Sequence, residues 1–99
     1  MMSTTDQLLE ILDFLNDRKI RATYGAVAGY LGVKPRSMGS LLGERSPRAS
    51  WVVSVKDGMP TDYPPEHMHP DLQRISLIIE TADALDRGMR KWRESGDEV

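Results

Sequence analysis

Ala28, Gly32 and Met38 stand four and six residues apart in the stretch ATYGAVAGYLGVKPRSMGSLL, Ala22 to Leu42. This spacing constrains the fold more than any other feature of the chain. A helix-turn-helix needs a small residue where its helices cross, a turn residue four positions later, and an apolar residue six further on. A side chain larger than that of Ala28 would push the helices apart, and a β-carbon at Gly32 would oppose the left-handed turn. Val27, Leu31, Val33 and Leu41 supply apolar surroundings. The first helix is expected from about Tyr24 to Leu31, and the second from Pro35, a favoured first helical residue, to about Gly43. Spacing alone also suits small-residue helical hairpins in pure scaffolds.

The remaining elements follow from periodicity and punctuation. Leu8, Ile11, Leu12 and Leu15 form one buried helix face. Ser3, Thr4 and Thr5 are N-cap types, and Thr4 with Gln7 has capping-box spacing. Trp51, Val52, Val53 and Val55 are strand formers, and Lys56–Gly58 is a turn signal, so a short β-hairpin is expected. MPTDYPPEHMHP, residues 59–70, carries four prolines and reads as a loop. Pro70 and Asp71 then open a long last helix, with Leu72, Ile75, Ile78, Ala82, Leu85, Met89 and Trp92 at alternating spacings of three and four. That seam either covers its own domain or pairs with a protein partner or a second copy. The first of these is preferred, because fewer than three heptads repeat.

Ninety-nine residues suit one domain. The expected fold is mainly α: a winged helix-turn-helix-like single domain with a short β-hairpin and a long C-terminal helix. Its parts are residues 1–58 (first helix, helix-turn-helix and wing), a Pro-rich loop over 59–69 and the C-terminal helix over 70–96. The chain has no cysteine, which removes disulfides, thiolate zinc sites and a cysteine nucleophile. No apolar run approaches the roughly 20 residues of a membrane span, and no basic-then-apolar leader opens the chain. The expectation is a cytoplasmic protein that does not engage a membrane.

The net charge of −2 conceals an asymmetry. Arg18 to Lys56 holds eight basic residues and one acid, a net +7, between acidic flanks. Local charge governs phosphate contact, because screening acts over about 8–10 Å at cellular salt. The start of a second helix in a helix-turn-helix faces a groove. Lys34, Arg36, Ser37 and Ser40 occupy that start, with Gly39 among them. Ser37, Gly39 and Ser40 are small, which permits close approach to a phosphate backbone, and the backbone N–H groups of the helix start attract phosphate. A merely solvated amphipathic helix leaves three small, helix-disfavouring residues unexplained.

These residues resemble the DNA-binding domain of the alkylguanine–DNA alkyltransferases and the cysteine-lacking alkyltransferase-like proteins. That domain carries a TYG-x-(V/I)-A-x-x-(L/A)-G helix followed by R-x-V-G-x-A-(L/M). Thr23, Tyr24, Gly25, Val27, Ala28, Leu31 and Gly32 match the first part, and Arg36, Met38, Gly39 and Leu42 the second, with about two fewer residues between them. The resemblance covers about residues 20–58. It implies docking of the second helix in the minor groove, with Arg36 entering the base stack and Tyr24 rotating the adjacent phosphate. Small helix residues suit a narrow groove.

The departures are as informative. The family's P-C-H-R-V or P-W-H-R-V run should fall near PRASWVVS, yet no His-Arg follows Trp51. Without cysteine, alkyl transfer to the protein is excluded, and Trp51 reads as a core or hairpin aromatic. Glu66, His67, His69 and Asp71 lie close together, but they read as loop-capping polar residues. Two histidines in a proline-rich loop make a poor metal or hydrolytic site.

The resulting expectation is a non-enzymatic binder of double-stranded DNA without cofactor or metal. Tyr24, Lys34, Arg36, Ser37, Gly39, Ser40, Arg45 and Arg48 make the contact, in damage recognition or regulation. The alternative is a protein-interaction module that keeps the fold without DNA binding and dimerises through its C-terminal helix.

Overall fold

A computed structural model describes residues 3–43, 49–60, 64–70, 72 and 77–96. Helix α1 spans Thr4–Arg18 and buries Leu8, Ile11, Leu12, Phe14 and Leu15. Its cap sits one residue earlier than the Thr4–Gln7 spacing suggests. The Asp6 N–H donates to Ser3 Oγ at 3.1 Å, and the Ser3 N–H donates to Asp6 Oδ2 at 3.3 Å. Gln7 instead gives its backbone N–H to the Ser3 carbonyl, as the first intrahelical bond. Lys19 ends the helix in the left-handed conformation at φ 55°, and the Ile20 N–H bonds the Leu15 carbonyl.

Strand β1, Arg21–Thr23, runs without a linker into α2, Tyr24–Leu31. Thr23 is at once the last strand residue and the helix cap, its Oγ1 accepting from the Ala26 N–H at 3.0 Å. Gly32 closes α2 at φ 75°, where a side chain would be strained. A 3₁₀ turn over Pro35–Ser37 leads into α3, Met38–Leu42. Together they cover the span expected for the second helix.

The class is the expected one, mainly helical with a small sheet and a C-terminal helix. The strands, however, form no hairpin among the described residues. Strand β2, Val52–Val53, pairs parallel with β1, Ala22 facing Val52 and Thr23 facing Val53. Strand β3, Ile78–Ile79, pairs parallel on the other edge, giving the order β2-β1-β3. Parallel neighbours need a long crossover, which α2 and α3 supply between β1 and β2. Val52 and Val53 are both fully buried, as a strand covered on both faces requires. The Lys56–Gly58 turn does form, but no described residue between it and β3 lies in a strand.

The last helix is also shorter than the seam suggested. Helix α4 spans Ala82–Gly96, not 70–96. Ile78 and Ile79 lie in β3 because two β-branched residues fit the open edge of β1, where the Arg21 N–H bonds the Leu77 carbonyl at 3.2 Å. Thr81 starts the helix, its Oγ1 accepting from the Ala84 N–H at 3.1 Å. Leu72 is buried; Ile75 and Asp71 lie outside the described residues.

The α4 seam faces its own domain. Leu85 and Met89 are fully buried, and the Trp92 ring meets that of Phe14 at 5.7 Å. Trp92 Nε1 donates to Asp17 at 2.8 Å, and Arg93 donates to both Glu10 and the Tyr30 hydroxyl. Hydrogen bonds to Glu10, then Tyr30, raise the Arg93 pKa above its ordinary value. Two glycines permit the approach. A β-carbon at Gly29 would lie 3.2 Å from that of Ala82, and one at Gly88 would lie 2.9 Å from Phe14 Cζ. Gly88→Ala should therefore lower stability by about 1 kcal/mol or more in urea unfolding, since overpacking a buried ring outweighs the gain in helix propensity.

Candidate nucleic-acid interface

The helix-turn-helix is assembled as its spacing requires. Ala28 and Met38 are fully buried, Gly32 is left-handed, and the Val33 N–H bonds the Ala28 carbonyl at 2.9 Å. Leu31, Val33, Leu41 and Leu42 pack from this unit onto the core formed by α1, β1 and β2. Burial of one face leaves the other to solvent. Lys34, Arg36, Gly39 and Ser40 are exposed, and Ser37 is half-buried. Tyr24, the first residue of α2, is half-buried against the core. Five of the eight expected contact residues thus lie on the short run 34–40 and Tyr24 on α2, while Arg45 and Arg48 lie outside the described residues.

The backbone at the start of this helix offers less than a regular helix would. Pro35 has no N–H, the Ser37 N–H bonds the Lys34 carbonyl at 2.9 Å, and the Met38 N–H bonds the Pro35 carbonyl. The 3₁₀ turn has consumed groups expected to receive phosphate. An anion approaching this end would meet the side chains of Lys34, Arg36, Ser37 and Ser40.

Gly39 has no internal explanation. Its φ is not in the left-handed region, and a β-carbon built on it meets nothing within 4 Å among the described residues. A helical glycine costs roughly 1 kcal/mol relative to alanine. Gly29 and Gly88 offset that cost through interhelix packing, and Gly32 and Gly43 through positive φ. Among the described residues, none gives Gly39 such a role.

Other candidates are placed elsewhere. Trp51 is fully buried, with Nε1 donating to Asn16 Oδ1 at 3.0 Å and the His69 ring 4.7 Å away, so it is the core aromatic expected. The His69 backbone N–H bonds the buried Ser50 hydroxyl at 2.9 Å, and Met59 and Met68 pack on the core, so the described part of the Pro-rich loop folds inward. Among the described residues no three His, Asp or Glu side chains could hold a metal. An open groove of about 470 Å³ lies between α1, α2 and α4, lined by Gln7, Tyr30, Asp83, Asp86 and Arg93. Its carboxylates oppose phosphate. No helix among the described residues is long and apolar enough to cross a membrane.

Two ties were not legible in the sequence. Arg21 Nη1 reaches the Gly58 carbonyl at 2.8 Å across the sheet, and Arg93 joins Glu10 and Tyr30 from three helices. Both span long stretches of chain, so no local pattern signals them.

Because Gly39 has open space around it, Gly39→Ala should raise stability by about 0.5–1 kcal/mol in urea unfolding. A loss of stability would mean that the glycine serves the fold. No protein-family model, no curated protein and no solved structure matches this chain.

Proposed function

We propose that this protein is a non-enzymatic binder of double-stranded DNA that lays the 34–42 segment against the minor groove. The observation that carries this reading is Gly39, an exposed helical glycine with room for a side chain, between exposed Arg36 and Ser40. A destabilising small residue on an outward face is explained when another surface must come within van der Waals distance of the backbone. The resemblance to the alkyltransferase DNA-binding domain supplies roles: Arg36 at the base stack, Tyr24 at the neighbouring phosphate, and Lys34, Arg45 and Arg48 as phosphate cations. Ser37 and Ser40 line the contact. Binding of this kind would serve recognition of altered DNA or regulation rather than alkyl transfer, since the chain has no cysteine to accept a group. We place its action in the cytoplasm, to which a cysteine-free chain is suited.

The rival reading, a protein-interaction module paired through the C-terminal helix, has less support. Its seam residues Leu85 and Met89 are spent on the chain's own core, and Trp92 is tied to Phe14 and Asp17.

The test is fluorescence anisotropy with a short duplex at two salt concentrations, with and without an alkylated guanine. Affinity should fall with added salt at a log–log slope of roughly −0.9 per phosphate neutralised. Arg36→Ala should weaken binding about tenfold or more at low salt. Unchanged binding by that variant would remove Arg36 from the contact, and no binding by the wild type would sink the proposal. A gain with alkylated guanine would assign the damage-recognition role.

A further inference from the structure

Helix α2 has eight residues and carries the turn of the helix-turn-helix at its far end. Its first end is fixed by Thr23, which belongs to β1 and caps the helix. Its other end is held by a side chain from far along the sequence. Arg93, in the last turn of α4, donates to the Tyr30 hydroxyl at 3.3 Å and to the Glu10 carboxylate of α1. Tyr30 is the penultimate residue of α2, and Gly32 makes the turn two residues later. One guanidinium thus joins three helices where the chain leaves α2 for the 34–42 segment.

The turn passes that position on. The Gly32 N–H bonds the Gly29 carbonyl at 3.3 Å and the Val33 N–H bonds the Ala28 carbonyl at 2.9 Å, so the residues leading to Lys34 are bonded back onto the last turn of α2. Helix α3 has only five residues, too few to be stable alone, and it takes its direction from what holds it. Two contacts keep Arg93 in place. Trp92 Nε1 donates to Asp17 at 2.8 Å, and Gly29 lets α4 lie close, a β-carbon there coming within 3.2 Å of that of Ala82.

We propose that Arg93 is a positioning residue for the interface: by holding Tyr30 it fixes the end of α2, and so presents the 34–42 segment, without touching the duplex. This rests on the DNA-binding reading and deepens it, because the C-terminal helix then sets affinity from behind the contact. A surface already in place loses less conformational freedom when a partner covers it. Loss of such a residue has its own signature. Affinity falls while the salt slope stays, since no phosphate contact goes with it.

The experiment is the same anisotropy titration over a salt series with Arg93→Gln, Tyr30→Phe, Arg36→Ala and, as a charge control, Arg90→Gln. Tyr30→Phe keeps the ring on the core and removes only the hydroxyl. Arg90 pairs with Asp86 inside α4 at 3.0 Å, so its loss removes the same charge without releasing Tyr30. Titrations run at a temperature where thermal melts show every variant folded. Arg93→Gln should weaken binding about 3- to 10-fold and Tyr30→Phe about 2- to 3-fold, both with the wild-type salt slope, while Arg90→Gln should match the wild type. In the free protein, hydrogen exchange at amides 32–40 should quicken in Arg93→Gln while that of Ala22 and Thr23 holds.

Wild-type affinity in Arg93→Gln or Tyr30→Phe, with Arg36→Ala weakened, overturns the inference and leaves the contact at α3 standing. Unchanged exchange at amides 32–40 overturns it too. A salt slope reduced by about one in Arg93→Gln would make Arg93 itself a phosphate contact, and an equal loss in Arg90→Gln would show net charge alone at work; either result overturns the positioning role. A wild type that does not bind overturns both proposals.

Discussion

Three residues, Arg21–Thr23, hold the molecule in register. They form the middle strand of the sheet, between β2 and β3, and lead directly into α2. Thr23 ends the strand and caps α2 with one side chain, so the first helix of the helix-turn-helix has no linker in which to swing. The α2–α3 crossover must then return far enough to set Val52 and Val53 beside Ala22 and Thr23. That return fixes the direction in which the 34–42 segment shows Arg36, Gly39 and Ser40. Arg21 adds a tie from the same strand to the 54–59 turn. Sheet pairing of so few residues is weak alone; it stands because Ala22, Val52 and Val53 are fully buried.

Glycines divide the surface into what serves the fold and what does not. At Gly29 and Gly88 the absent side chain lets α4 lie close on α2 and α1, and the ties of Trp92 and Arg93 hold it there. At Gly32 and Gly43 it allows a positive φ where a helix ends. Gly25 and Gly39 fit neither group, and Gly39 lies on the exposed face that carries Lys34 and Arg36.

Local patterns were legible where their cause is local. Both ends of α2 were readable because Thr23, Tyr24 and Gly32 act within a few residues of themselves. The cap of α1 was misread by one residue because Ser3 and Thr4 offer the same hydroxyl, and the choice turned on Asp6 reaching back. Ile78 shows the deeper limit. Its spacing from Ala82 and Leu85 fits a helix, yet it joins a strand because β1 has an open edge there. The hairpin expected after Trp51 failed for the same reason: Val52 and Val53 found a partner about thirty residues earlier in the chain.

By itself the sequence determined the helix-turn-helix, the mainly helical class and the residues that make the 34–40 face basic and small. Those features depend on side-chain size, backbone freedom and charge, which each residue carries wherever it sits. Only the tertiary structure decided that the strands run parallel, that α4 closes over its own core and that Arg21 ties the 54–59 turn to the sheet. These depend on pairings between residues distant in the chain, and which distant edge or face a segment meets is settled by burying the most apolar surface at once.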